Sequence, residues 1–329
     1  MSAGAITRRR LLHLAAGAGT ILASPRLARA AFPERPLRIM VGFAPGGTVD
    51  TVGPILAQAM GPLLGQPVVV ENRAGASASF AASAVVNAEP DGHTLLFGVF
   101  SHAVAPALVR LTYDTLNDLT AVSQVARVPL FMFAAGASPF RSVADVLAAA
   151  RVSPTSVTYA SGGVGSAPHL AAELFARRAG VGLLHVPFRG GVPAVQSLLA
   201  GDVNLLWDTP QPATRAYIDE GRLRALCVMA DKRLSAYSDI PAVREIGLGD
   251  GLEVQAWQGV LVRAGTPPAL IDKLYGAIAH AMAMRETRER IEALAVEPMA
   301  TEPKAFGAFF RGEVARWTEI ARSAGITAQ

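Results

Sequence analysis

The hydrophobic positions of this chain fall into short apolar runs separated by stretches in which apolar residues return every three or four positions. The first run, Arg38-Ile39-Met40-Val41-Gly42-Phe43, has the make-up of a buried strand and ends in the turn Ala44-Pro45-Gly46-Gly47. A helical pattern follows at once, from Thr51 to Leu64. The same reading predicts further strands within 65–73, 93–99, 128–134, 157–160, 183–186, 203–207, 223–229 and 254–262. Helices are predicted over 74–88, 143–150, 167–179, 192–200, 211–221, 267–284, 285–294 and 303–324, with Ser142 placed to cap the second of these. Strand, helix, strand in repeated succession is the rhythm of a parallel sheet with helices packed on its faces, so the fold class is α/β.

Two of the strand–helix junctions are rich in glycine. One is Phe43-Ala44-Pro45-Gly46-Gly47-Thr48-Val49-Asp50; the other is Ser161-Gly162-Gly163-Val164-Gly165-Ser166. A tight turn between a strand end and a helix start leaves unpaired N–H groups beside the positive end of a helix dipole, and this arrangement suits anions. Glycine lets main chain approach a ligand closely, and Thr48 and Ser166 add hydroxyls. Ordinary βα turns also favour glycine, so one loop alone is balanced between the two readings; the pair tips it towards a small carboxylate. Asp50 reads equally as a helix-start acid or as a contact for a ligand donor next to the carboxylate. Phe43, Phe188, Trp207 and Trp257 flank strand ends or turns, and core packing is the default for each.

Composition narrows the partners. The chain has 329 residues, enough for one large or two medium domains, and 51% hydrophobic residues. No apolar stretch approaches the roughly 20 residues that span a bilayer. The N-terminus, Thr7-Arg8-Arg9-Arg10-Leu11-Leu12-His13, resembles a twin-arginine export signal, and Ala28-Arg29-Ala30 is an A-x-A cleavage site. Residues 1–30 are thus expected to be a cleaved Tat-like signal peptide, which makes the mature protein periplasmic. They carry five of the 30 basic residues and no acid, which leaves 25 basic against 26 acidic residues. A near-neutral chain without a basic block is not expected to bind nucleic acid. Cys227 is the only cysteine and lies in an apolar run, where a buried inert thiol is expected.

Rival chemistries have less support. Gly163-Val164-Gly165-Ser166-Ala167-Pro168 begins like a dinucleotide fingerprint, but Pro168 stands at the third glycine, and no phosphate-loop motif is present. Ser166, His169 and Asp208 are the residue types of a Ser-His-Asp set. Yet G-x-S-x-G is absent, and neighbours on one helical turn give the base poor aim. A secreted hydrolase using Ser166 stays as the rival from another class. His169 and Glu173 share a helix face, but a lone pair of this kind is more often a surface or capping contact than a metal site. No cofactor and no metal are expected.

The glycine loops also carry a resemblance. Phe43–Asp50, Val69-Val70-Glu71-Asn72-Arg73-Ala74-Gly75 and Pro90-Asp91-Gly92-His93-Thr94-Leu95-Leu96 resemble the Bug family of periplasmic solute-binding proteins, the extracytoplasmic receptors of tripartite tricarboxylate transporters. Tyr159–Ser166, His185-Val186-Pro187-Phe188-Arg189-Gly190, Leu223–Leu226, Asp239-Ile240-Pro241 and Ala264-Gly265-Thr266-Pro267 extend it through the chain. The resemblance implies a two-lobed type II periplasmic-binding-protein fold, with crossing hinge strands and a central cleft. Lobe 1 would comprise 32–131 plus 228–329, and lobe 2 would comprise 132–227. It implies a monomeric receptor, not an enzyme, that captures a small carboxylic acid by closure. The receptor would deliver the acid to the membrane permease subunits of a tripartite tricarboxylate transporter, or report it to a sensor kinase. By position, Phe43, Pro45, Gly46, Gly47, Thr48 and Asp50 would serve from the first lobe. Ser161, Gly163, Val164, Gly165 and Ser166 would serve from the second, with Ser101 and Asp208 at the rim or floor. Three positions depart from the family pattern: Ala76-Ser77-Ala78-Ser79 replaces a glycine-rich stretch, His93 a tyrosine, and Trp207-Asp208-Thr209 a Phe-Asp-Asn. The effector lobe of a cytosolic regulator shares the fold, but the leader and the lack of DNA-binding helices argue against it.

Overall fold

The computed structural model describes residues 32–43, 45, 48–75, 78–210, 213–234, 237–248 and 251–323. The expected signal peptide lies outside them, as do Gly46, Gly47, Ala76 and Ser77. The chain opens with β1 (Leu37–Val41), α1 (Thr48–Leu64), β2 (Val68–Asn72), α2 (Ser79–Val86), β3 (Thr94–Val99), α3 (Phe100–Leu108) and β4 (Leu119–Pro129). There follow β5 (Phe131–Ala135), α4 (Val143–Val152), β6 (Thr158–Ser161), α5 (Ala167–Ala179), β7 (Leu184–Pro187), α6 (Gly191–Ala200), β8 (Leu205–Asp208), α7 (Thr214–Asp219) and β9 (Leu223–Val228). The last part holds β10 (Gln255–Arg263), α8 (Pro268–Ala283), α9 (Arg285–Glu292), β11 (Glu297–Pro298) and α10 (Pro303–Ser323).

Two sheets result. One has the order β11-β4-β10-β3-β1-β2, the other β7-β6-β8-β5-β9. In the first, successive side chains alternate between two cores, as the pleat requires. Ile39, Val41, Leu95 and Phe97 pack with Val52, Leu56 and Met60 of α1 and Leu274 and Ile278 of α8. Met40 and Leu96 face the opposite way, onto Ala81, Ala82 and Val85 of α2, Phe100 of α3 and Phe306 and Phe310 of α10. In the second sheet Met132, Tyr159, Leu205 and Trp207 join that same cluster together with Val146 and Phe175 of α4 and α5. Phe131, Phe133, Ala160 and Leu206 turn to α6 and Tyr237.

The lobes are joined by the strands that cross between them. β4 passes into β5 with only Leu130 between, and β9 returns to β10 through Met229 and Val254. The Met229 N–H donates to Leu130 O (2.8 Å) and ties the two crossings together, while the Val254 N–H donates to Met229 O (3.0 Å) within the second. Leu130, Met229, Val254 and Trp257 belong to the core cluster that runs through both lobes. The apolar run 128–134, expected as one strand, is therefore the junction between two. The helix expected from 74 begins only at Ser79, because Gly75 (φ 134°) and Ala78 (φ 70°) hold backbone angles that no right-handed helix contains.

Candidate functional site

Strand directions place both glycine loops on one gap. β1, β3 and β4 run the same way, since β10 is antiparallel to both β3 and β4 and β1 is parallel to β3. The C-terminal ends of β1 and β3 therefore lie at the edge where β4 leaves for the other lobe. In the second sheet Phe131, the first residue of β5, pairs with Asp208 at the end of β8 and with Val228 at the end of β9. β6 is parallel to β8, so Ser161 also ends at the edge facing the first lobe. The helices α1, α3 and α5 follow directly from β1, β3 and β6, so their positive dipole ends start at these facing edges.

The first loop is pinned from below. Phe43 is half-buried and Pro45 exposed; Thr48 is the first residue of α1. Asn72, at the end of the neighbouring strand, donates through one amide nitrogen to Phe43 O (2.9 Å) and to the Asp50 carboxylate (2.8 Å). Asp50 thus links the first turn of α1 to β2. Gly42 is required by a close approach: a Cβ there would stand 2.4 Å from Ala78 Cβ. Ala78 is held in turn by His102 of α3, which is fully buried. Its Nδ1 accepts the Val99 N–H (3.0 Å), so the neutral ring carries its proton on Nε2 and donates it to Ala78 O (3.2 Å). Burial pulls this imidazole down to about 4. Ser101, one residue before it in the first turn of α3, is almost buried at the same edge.

The second loop is folded around its own hydroxyls and two imidazoles. Ser161 is 0% exposed. Its Oγ lies 2.7 Å from His185 Nε2 and accepts the Gly163 N–H (3.2 Å). The Ser166 hydroxyl donates to Gly163 O (2.7 Å) and accepts the main-chain N–H of His169 (3.3 Å), which caps α5. The Gly165 N–H, at φ 76°, donates to His169 Nδ1 (3.2 Å). The rings of His169 and His185 stack 4.1 Å apart, and that of Tyr159 lies 4.8 Å beyond His185. Tyr159 donates its hydroxyl to Glu173 at 2.6 Å. Desolvation lowers the pKa of both imidazoles, that of His185 to about 3, so both are neutral at ordinary pH. Val164, 37% exposed, forms the rim of the loop with half-buried Gly162 and Gly163.

Asp208 is nearly buried at the end of β8 and accepts the Thr209 N–H (2.8 Å). Ser166 meets His169 through the main chain rather than through the imidazole, which is not the geometry of a nucleophile and its base. Of the departures from the family pattern, Trp207 is fully buried against Tyr159 and Phe175. His93 precedes β3, at the end remote from the gap. The sequence had offered no reason to single out His102, and Asn72 stood out only within the motif Val69–Gly75. His185 stood out only within a longer motif, and His169 only in catalytic and metal roles; a histidine at the start of the helix after the glycine loop was the missed signal.

Two α/β lobes, joined by crossing strands and with helix N-termini at facing edges, define a periplasmic-binding-protein fold. Solved structures agree. A protein of R. palustris with adipate superposes with a TM-score of 0.83 at 31% identity, covering 91% of this chain and 100% of that one. MatC from Rhodopseudomonas palustris with bound malate gives 0.80 at 31%, covering 88% and 99%. BugT of Bordetella pertussis is 32% identical over 297 residues, 89% of this chain and 90% of its own. The model of the tripartite tricarboxylate transporter family receptor, TctC, matches residues 52–326. The chain belongs to that family: it is a solute-binding receptor and not an enzyme.

Proposed function

We propose that this receptor works in the periplasm, after cleavage of residues 1–30, and captures a small carboxylate between the loops 43–50 and 161–166. Ser101 and Asp208 would complete the floor. The observation that carries this reading is that both loops end strands at facing edges, with the N-termini of α1, α3 and α5 behind them. Hydrogen bonds to a charged group contribute about 1.5–3 kcal/mol each, so four or five, less ordering costs, suffice for the roughly −8 kcal/mol of a micromolar site. Relatives that hold malate and adipate support a ligand of this class. The lobes, 32–131 plus 228–329 and 132–227, close by bending at Leu130 and Met229, and the loaded form is read by the permease of a tripartite tricarboxylate transporter. A thermal-shift screen of carboxylates tests the ligand class, because saturation at 100 times the dissociation constant adds about 2.7 kcal/mol. A shift with neutral sugars and with no acid would refute it.

A further inference from the structure

Between Ser161 and Ser166 the second loop has one branched apolar side chain, that of Val164, and it is exposed. Three of its glycines are at 162, 163 and 165, and two of them take φ values of 123° and 76°. Its order comes from polar contacts: the Ser166 hydroxyl and N–H both hold Gly163 O, and other loop amides turn to an assembly of two imidazoles, one buried and one half-buried. Gly165 N–H goes to His169 Nδ1, and Gly163 N–H goes to a Ser161 hydroxyl that is itself held at 2.7 Å by His185 Nε2. The imidazoles approach from different elements: His169 from the first turn of α5, His185 from the edge strand β7. They are locked face to face, and Tyr159, anchored on Glu173, closes the stack.

We propose that His169 and His185 are positioning residues of the ligand site, holding the rim Gly162–Val164 in the shape that receives the ligand. Neither has to touch the ligand. His169 fixes Gly165 through an acceptor nitrogen, and His185 fixes Gly163 through Ser161. The consequence for binding rests on the carboxylate reading above, but the positioning itself does not need a ligand to be seen.

Nitrogen-15 NMR of the histidine-labelled wild-type protein should find His169 neutral with its proton on Nε2; a proton on Nδ1 overturns the proposal. Hydrogen exchange then compares His169→Phe, which keeps a stacked ring but has no acceptor, with His169→Asn, whose Oδ1 occupies the place of Nδ1. Loss of one such bond should speed exchange of the Gly165 amide by about tenfold in the phenylalanine variant, with most of the protection restored in the asparagine variant. His185→Phe should act likewise on the Gly163 amide, and His185→Gln should restore it. Equal exchange in the phenylalanine variants and the wild type refutes the positioning role. Should those variants not fold, the wild-type tautomer still decides. Malate and adipate titrations then follow, where affinity should fall and recover in parallel with protection. Wild-type protein that binds neither acid but shows the expected tautomer and exchange pattern counts against the carboxylate reading alone.

Discussion

The Ser166 hydroxyl serves two partners inside the protein, accepting the His169 main-chain N–H and donating to Gly163 O. Ser166→Ala removes the cap of α5 and should lower stability by about 1 kcal/mol in urea denaturation. Under the proposed role, carboxylate affinity should fall only modestly, whereas a nucleophilic serine would be indispensable. Gly42 makes a sharper case. A Cβ there would meet Ala78 Cβ at 2.4 Å and Ala78 Cα at 2.8 Å, so the first loop must lift away from the Ala78 segment. Gly42→Ala should cost about 1–3 kcal/mol, the range for overpacking a filled site. Adding Ala78→Gly should recover much of this, since it removes the opposing methyl and relaxes a backbone at φ 70°. Urea midpoints of the two single variants and the double test the coupling; strict additivity would mean that the contact is not what makes Gly42 necessary. At this scale the sequence was informative about where glycine loops stand and silent about what holds them. Motif reading finds a turn by its glycines, but Asn72 under Phe43 and His102 under Ala78 come from strands and helices elsewhere in the chain.

Among the elements, regular α/β units were legible and irregular ones were not. α5 runs from Ala167 to Ala179 as the pattern predicts, with Ser166 at its N-cap and Gly180 in the left-handed conformation at its C-cap. Most of β4 escaped notice because its interior holds Ser123, Gln124 and Arg127, and two register shifts against β10 break the period-two pattern. Its polar groups are matched from far along the chain, the Ser123 hydroxyl to Thr301 O and the Gln124 N–H to Thr301 Oγ1. α3 escaped too, since Pro106 lies inside it. Yet α3 and β4 frame the proposed site, one by carrying Ser101 and His102, the other by crossing to the second lobe. Desolvation of buried His102 and His169 and of half-buried His185 predicts a common acid response. In the unfolded chain a histidine takes up a proton below about pH 6.5. In the folded protein His102 stays neutral down to about 4 and His185 to about 3, and His169 is lowered as well. Across that interval the unfolded state binds more protons, so stability should be complete above pH 6.5 and fall steadily as the pH drops towards 4. Denaturant unfolding at pH 7.5, 6 and 5 measures the slope. His102→Gln, which does not titrate, should be less stable at pH 7.5 but show a flatter dependence; an unchanged slope would exclude His102 as a source.

For the whole molecule the shared core sets how the halves can move. Leu130, Met229, Val254 and Trp257 pack in one cluster with residues of both lobes, and the crossings are hydrogen-bonded to each other. Under the proposed closure, rotation would be confined to the backbone around Leu130 and Met229, with each sheet moving as a body. In the proposed capture a ligand would drive closure only by as much as it prefers the closed form, and loops from opposite lobes would give that preference, because only closure would complete both sets of contacts. Cysteine chemistry can observe this without interference from the native thiol. Cys227 is fully buried, and desolvation pushes its pKa to about 12, so it contributes almost no thiolate. Pro45 and Val164 are exposed and lie on the two opposing loops. In the double variant Pro45→Cys with Val164→Cys, a short bis-maleimide, to each end of which one thiol adds, should link the lobes faster when a saturating carboxylate is present, and SDS gel mobility reports the link. Each single variant should give no such product at any ligand concentration. If malate or adipate raises the melting temperature of the double variant itself yet leaves its linking rate unchanged, the acid binds without drawing the loops together, and capture by lobe closure is excluded.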